Sequence, residues 1–208
     1  MQRGRFITFE GGEGAGKTTQ ARLLVERLRA AGLDVVQTRE PGGSPGAEEI
    51  RNIAVSGEAD RWSARTETLL MYAARSDHLE RTIRPALESG RWVVCDRFAD
   101  SSRVYQGAGG GAPESLIEAL DAAVVDGDQP DLTLVFDLPV DVGLERAFGR
   151  GLFETRFESK GMTFHQKLRE GFLQVAERHP DRCVVIDATG EVDEVSERLW
   201  TVVEARLL

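Results

Sequence analysis

Short apolar runs alternate along the chain with longer stretches whose apolar residues recur every three or four positions. Phe6-Ile7-Thr8-Phe9 predicts a first strand. Thr18 to Ala31 predicts a helix, because Ala21, Leu24, Val25 and Leu28 share one face and Gly32 follows. Val35 and Val36 open a second strand, and Pro41-Gly42-Gly43-Ser44-Pro45-Gly46 reads as a loop. Residues 64–89 read as one long helix carrying Leu69, Tyr72, Leu79, Ile83 and Leu87, closed by Gly90. Trp92 to Asp96 is a third strand. Gly107 to Pro113 is a glycine-rich turn, and 114–125 a helix. A fourth strand lies within Asp131–Leu138, and 140–148 is helical. A polar stretch rich in Arg and Gly occupies 149–161. A helix over 162–178, a fifth strand over 183–187 and a last helix over 191–207 complete the pattern.

Strands separated by helices imply parallel pairing through right-handed crossovers. Strands apolar on both faces fit a sheet covered on both sides. The expected fold is therefore α/β: a three-layer α/β/α sandwich with about five parallel strands. Residues 1–208 read as a single domain with a short lid at about 149–161, a length suited to one domain.

Composition narrows the function classes. The net charge of −9 argues against a long nucleic-acid partner, which usually meets a basic surplus. It leaves nucleotides open, because a few local cations suffice for one phosphate. Cys95 and Cys183 sit in apolar runs and read as buried strand thiols. The apolar start is interrupted by Gly11 to Thr18 too early for a secretory signal, and no apolar stretch is long enough to span a membrane. The expected location is the cytoplasm.

The chemistry begins at Gly11-Gly12-Glu13-Gly14-Ala15-Gly16-Lys17-Thr18, which matches GxxxxGK[ST] between a strand and a helix. Glycines let backbone N–H groups turn toward phosphates, and the helix N-terminus adds positive partial charge. Lys17 reaches the β- and γ-phosphates, and the Thr18 hydroxyl can ligate Mg²⁺, with Thr19 next in line at the nucleotide. Asp96, at a strand end, suits a second carboxylate associated with the metal.

A kinase needs a second anion site for its acceptor. Arg39 and Arg97 lie at predicted strand ends, and Arg75 lies on the long helix. In parallel sheets the strand C-termini share one edge where ligands bind, so Arg39 and Arg97 should converge near the phosphate loop. Arg suits this task because its planar fork donates two parallel hydrogen bonds. Arg146, Arg150 and Arg156 would place cations on a lid that excludes water and stabilises charge on the transferring group.

Thr38-Arg39-Glu40-Pro41-Gly42-Gly43, Asp96-Arg97-Phe98, Tyr105-Gln106-Gly107 and Pro130-Asp131-Leu132-Thr133 follow one another with a spacing that resembles bacterial thymidylate kinases over about residues 4–205. The resemblance implies ATP + dTMP → ADP + dTDP with Mg²⁺, usually in a homodimer. It implies that Glu13 faces the deoxyribose 3′-hydroxyl, that Arg39 and Arg97 hold the dTMP phosphate, and that Arg75 contacts thymine. Ser101 and Ser102 would lie near the base, with Gln106 beside Tyr105, the ring that crowds the sugar 2′-position. Arg150 would be the lid arginine, serving in place of one in the phosphate loop, and Ala188-Thr189 would border adenine. Two positions depart from the family pattern. Thr155 stands where the lid often has Asp, and Met71 where a phenylalanine usually stacks on thymine; a thioether still packs on a ring. Two other readings remain open at this stage: a kinase for a different nucleoside monophosphate, and a nucleotide-sensing module that switches a partner.

Overall fold

The computed structural model describes residues 3–58, 60–149 and 161–208. Its sheet has five parallel strands in the order β2-β3-β1-β4-β5: β1 Phe6–Gly11, β2 Val35–Arg39, β3 Trp92–Asp96, β4 Leu132–Asp137 and β5 Cys183–Asp187. In register, Phe9 pairs with Asp96, Arg39 with Asp96, Gly11 with Phe136, and Asp137 with Asp187. The C-terminal ends of all five strands therefore form one rim. β1, in the centre, is buried along its whole length, whereas the edge strands β2 and β5 are part exposed. That gradient explains why the inner strands read as unbroken apolar runs.

Helices cover both faces. α1 (Lys17–Ala30) buries Ala21, Leu24, Val25 and Leu28 against the core that includes Ile7, Phe9 and Leu134. α9 (Val192–Leu207) adds Val195, Leu199 and Val203 to the same core. On the other face Leu79, Ile83 and Leu87 pack with Phe6, Val93 and Phe98, while α8 (Met162–Arg178) contributes Leu168 and Phe172. Both cysteines are buried strand residues, as expected.

Three stretches differ from the sequence pattern. Residues 45–55 form a helix, α2 (Pro45–Val55), where only a loop was expected up to residue 46. The long helix is divided into α3 (Ala64–His78), a π-helical turn at Leu79–Ile83, and α4 (Arg84–Glu88). Pro85 supplies the reason: it has no N–H for the preceding turn, and a widened turn accommodates its ring. Leu69, assigned to the apolar face, is 47% exposed; α3 turns Met71, Tyr72, Ala74, Arg75 and His78 inward instead. Finally, α5 (Ala99–Ser102) leads into a π-helical segment, Arg103–Gly109, which takes up the first three residues of the expected glycine-rich turn. α6 (Glu114–Val124) and α7 (Val140–Gly149) fall where expected.

Candidate active site

The strand–loop–helix at β1 and α1 presents the phosphate loop at the centre of the rim. Gly14 and Gly16 have φ of 70° and 87°, left-handed values that L side chains rarely adopt. Gly14 also meets α7 backbone to backbone. A Cβ on Gly14 would collide with the Gly143 carbonyl, and a Cβ on Gly143 would lie 2.5 Å from the Glu13 carbonyl oxygen. Lys17 is buried and donates from Nζ to the Gly12 carbonyl at 2.7 Å. Burial and then Arg97 lower its pKa to about 8, with Glu13 opposing.

Thr18, exposed on the first turn of α1, donates from Oγ1 to Asp96 Oδ2 at 2.5 Å. A hydroxyl and a carboxylate are thus within reach of one cation, and hard oxygen donors beside a phosphate loop fit Mg²⁺. Asp96 ends β3, and Arg97 follows with φ 72°, an uncommon value for a residue with a Cβ. From there Arg97 Nη2 donates to Glu13 Oε1 at 2.9 Å and Nη1 to the Gly11 carbonyl at 3.2 Å, and its guanidinium stands 4.9 Å from the Tyr105 ring centre. Tyr105 donates its hydroxyl to Glu13 Oε1 at 2.6 Å. Burial would raise the Glu13 pKa, but Arg97 and Lys17 prevail and hold it down at about 2.

One open cleft is lined by Lys17, Thr18, Asp96, Arg97, Arg39 and Arg51 together with Gly14 and Glu13. The two expected phosphate-binding arginines therefore share a cavity with the glycine loop. Arg39 is half exposed and leans on Glu48, 3.0 Å away.

Behind this cleft Arg75 is buried. Its Nε donates to Glu40 Oε2 at 2.8 Å, and Nη2 donates to the Phe98 carbonyl at 3.0 Å and to Ser102 Oγ at 3.1 Å. Nη1 is buried with no hydrogen-bond partner. An orphaned guanidinium N–H costs free energy unless an acceptor arrives. The other carboxylate oxygen of Glu40 lies 3.1 Å from His78 Nδ1, and His78 Nε2 is 2.7 Å from Thr38 Oγ1. Met71 is buried in the cluster that holds Tyr105 and Phe172. Gln106 is buried and donates from Nε2 to Glu67 Oε1 at 2.9 Å. Ser101 donates from Oγ to Glu10 Oε2 at 2.6 Å.

On the donor side, Ala188 follows β5, is buried, and donates its N–H to the Asp137 carbonyl at 2.9 Å. Thr19 and Arg146 are half-buried, on α1 and α7. Arg150, Thr155 and Arg156 lie outside the described residues.

Sequence reasoning missed Arg51, Glu40, His78 and Glu10 as members of this region. Arg51 had a signal: Ser44 then Pro45 is an N-cap followed by a first-turn proline, and reading a helix there places Arg51 two turns in. Glu40 lies inside the Thr38–Gly43 motif but was given no role there, and His78 and Glu10 act through partners distant in sequence that no local pattern marks.

Comparison with known proteins agrees with this geometry. The thymidylate kinase family model matches residues 9–199. A thymidylate kinase of Caulobacter vibrioides is 63% identical over 207 residues, covering 100% of this chain and 99% of the relative. One from Jannaschia is 54% identical over 202 residues and 97% of each chain. The crystal structure of thymidylate kinase from Ehrlichia chaffeensis superposes with a TM-score of 0.79 at 34% identity, covering 97% of this chain and 99% of that one. A phosphate loop, a facing pair of arginines and likeness over the full length converge on one assignment: the chain belongs to the thymidylate kinase family.

Proposed function

We propose that ATP and dTMP meet end to end in the rim cleft, with the γ-phosphate over Lys17 and Thr18 and the dTMP phosphate between Arg39 and Arg97. Family membership gives the reaction: this ATP-dependent kinase transfers the γ-phosphoryl group to dTMP, yielding dTDP and ADP. The observation that carries the site assignment is the shared cleft, in which the phosphate loop and both arginines face one space.

The glycine loop amides, Lys17 and Thr19 hold the ATP phosphates, and Ala188 and Arg146 border the rest of the donor. Thr18 and Asp96 would hold Mg²⁺, which would supply charge neutralisation to the phosphates. Arg39 and Arg97 orient an acceptor oxygen in line with the γ-phosphorus. That oxygen is already anionic near neutral pH, so no strong general base is required. As the new P–O bond forms, the bond to the β–γ bridging oxygen breaks and its electrons leave with ADP. Lys17, Arg97 and Arg150 balance the charge that spreads over the transferring group, so catalysis is mostly positioning and electrostatics. The chain reads as a single domain, and the lid expected at about 149–161 falls on residues of which 150–160 lie outside the described ones.

The unpartnered Nη1 of Arg75 supports its role as donor to a thymine carbonyl. Met71 packs on the ring, and Ser101, Ser102 and Gln106 complete the base pocket. Glu13 and Tyr105, already joined by a hydrogen bond, face the deoxyribose. Ile53 on α2 and Leu69 on α3, 45% and 47% exposed, support a homodimer that covers these two helices. No described helix is long and apolar enough to cross a membrane, and the acidic charge disfavours nucleic acid; both support a cytoplasmic enzyme of small nucleotides. ADP release measured with dTMP, dUMP, UMP, CMP, AMP and GMP tests the reading. The highest kcat/KM is expected for dTMP. A preference for another nucleotide would reject the roles of Arg75 and Tyr105, and ADP release independent of any acceptor would reject the two-site cleft.

A further inference from the structure

Glu10 is a carboxylate buried completely inside the central strand, and the mechanism above does not use it. Among the described residues, the three hydrogen bonds of its side chain all go to one short segment. Oε1 accepts from the Phe98 N–H at 2.8 Å and the Ser101 N–H at 3.1 Å, and Oε2 accepts from Ser101 Oγ at 2.6 Å. That segment begins immediately after Arg97, whose left-handed backbone is held on both sides. Its N–H donates to the Phe9 carbonyl at 2.9 Å, and its carbonyl accepts from the Cys95 thiol at 3.0 Å. A residue with a Cβ stays at φ 72° only where its surroundings over-determine it.

We propose that Glu10 is a positioning residue for Arg97: its carboxylate pins the start of α5 to β1, and so holds the Arg97 turn in the left-handed conformation that aims the guanidinium into the cleft. The location is unfavourable for an acid. Burial first, and neighbouring Asp100 second, push its carboxyl up to about 7. Asp100 is itself matched by Arg182, which donates to its two oxygens at 2.6 and 2.9 Å. What Glu10 offers in return is geometry. Two backbone N–H groups at a helix start point at one oxygen; an apolar side chain would leave the Phe98 N–H buried and unpaired and the Ser101 N–H with only the Phe98 carbonyl, 3.1 Å away. Without that anchor the peptide after Arg97 is free to leave its strained conformation, and the guanidinium swings with it.

The inference rests on Arg97 holding the dTMP phosphate, so the test is a cycle of variants: Glu10→Leu, Arg97→Ala and the double variant, each assayed for kcat, KM for dTMP and ATP affinity. Glu10→Leu is expected to lower kcat/KM for dTMP about 30-fold or more in the native background, and less than about threefold when Arg97 is already Ala; ATP affinity stays within about threefold throughout. Glu10→Gln, whose amide oxygen can accept both N–H groups while Ser101 Oγ turns to accept, restores kcat/KM to within about fivefold of the native enzyme. If the leucine variant does not fold, Glu10→Asp carries the same cycle with a smaller loss, about three- to tenfold, again confined to the Arg97 background. Equal losses in both backgrounds, no loss in the native one, or a glutamine variant as impaired as leucine would overturn the proposal. A normal KM for dTMP in Arg97→Ala alone would instead reject the phosphate role of Arg97.

Discussion

Replacing Glu13 by Gln separates charge from shape inside the phosphate loop. The carboxylate accepts from Arg97 at 2.9 Å and Tyr105 at 2.6 Å, and an amide oxygen fills the same space. Its folded pKa of about 2 compares with an ordinary 4.5. At about 1.4 kcal/mol per pH unit, that gap corresponds to about 3 kcal/mol of stability at neutral pH. Glu13 is only 20% exposed, so solvent screening leaves most of this in place. The sign follows from the lowered pKa. The contribution is fully present above pH 4.5 and is lost as pH falls toward 2. Glutamine lacks it at every pH. Urea unfolding at pH 7 should therefore find the variant less stable by about 3 kcal/mol, or about 6–12 °C in Tm for a domain of this size. At pH 3.5 the difference should shrink by about a third or more. A difference below about 1 kcal/mol at pH 7, or one that stays constant down to pH 3.5, would refute the claim that the ion pair with Arg97 dominates the environment of Glu13.

Arg75→Lys keeps a charge but gives up the fork and the free Nη1, so KM for dTMP should rise about 10–100-fold with KM for ATP unchanged; equal effects on both substrates in steady-state kinetics would argue against a base contact. Lys17, with a pKa of about 8 in the free protein, should give kcat/KM for ATP an alkaline limb near pH 8. Bound phosphates favour the ammonium, so the limb in kcat should lie higher; a kcat/KM profile flat to pH 9.5 would contradict this. Gly143→Ala puts a methyl 2.5 Å from the Glu13 carbonyl oxygen, and the displaced loop should lower kcat/KM for ATP about tenfold or more, read by coupled assay. Arg150→Ala should lower kcat far more than it raises either KM, by about 10³-fold on the scale of arginine fingers; an unchanged kcat would reject the assignment.

The legible parts of the chain were those whose cause is local. β3 falls at the expected residues because a buried parallel strand is written as a continuous apolar run, and β5, though part exposed at the edge, carries the same run from Cys183 to Ile186. The phosphate loop is legible because every one of its requirements lies within eight consecutive residues. α2 was not, since its only buried residues are Ala47 and Ala54, too thin a stripe to announce a helix behind a run of prolines and glycines. Arg51 was lost with it. The π turn before Pro85 follows from a proline rule but leaves the apolar periodicity almost intact. Glu10 illustrates the deeper limit: its partners stand 88 and 91 positions away, and one acid at the end of an apolar strand carries no local mark of what it holds. Arg75 was singled out, but the arrangement that leaves one of its nitrogens bare depends on Glu40, Phe98 and Ser102, brought together only by the fold.

The bare-backbone contact between Gly14 and Gly143 has a mechanical consequence. Side chains between packed elements act as cushions, since a rotamer change absorbs a small shift on one side before the other feels it. Here no cushion exists. Any displacement of α7 is handed on to the Glu13–Gly14 peptide, and any settling of that peptide around phosphates is handed back to the helix. Because α7 also carries Arg146, that donor-side arginine and the glycine cradle are geared together without slack.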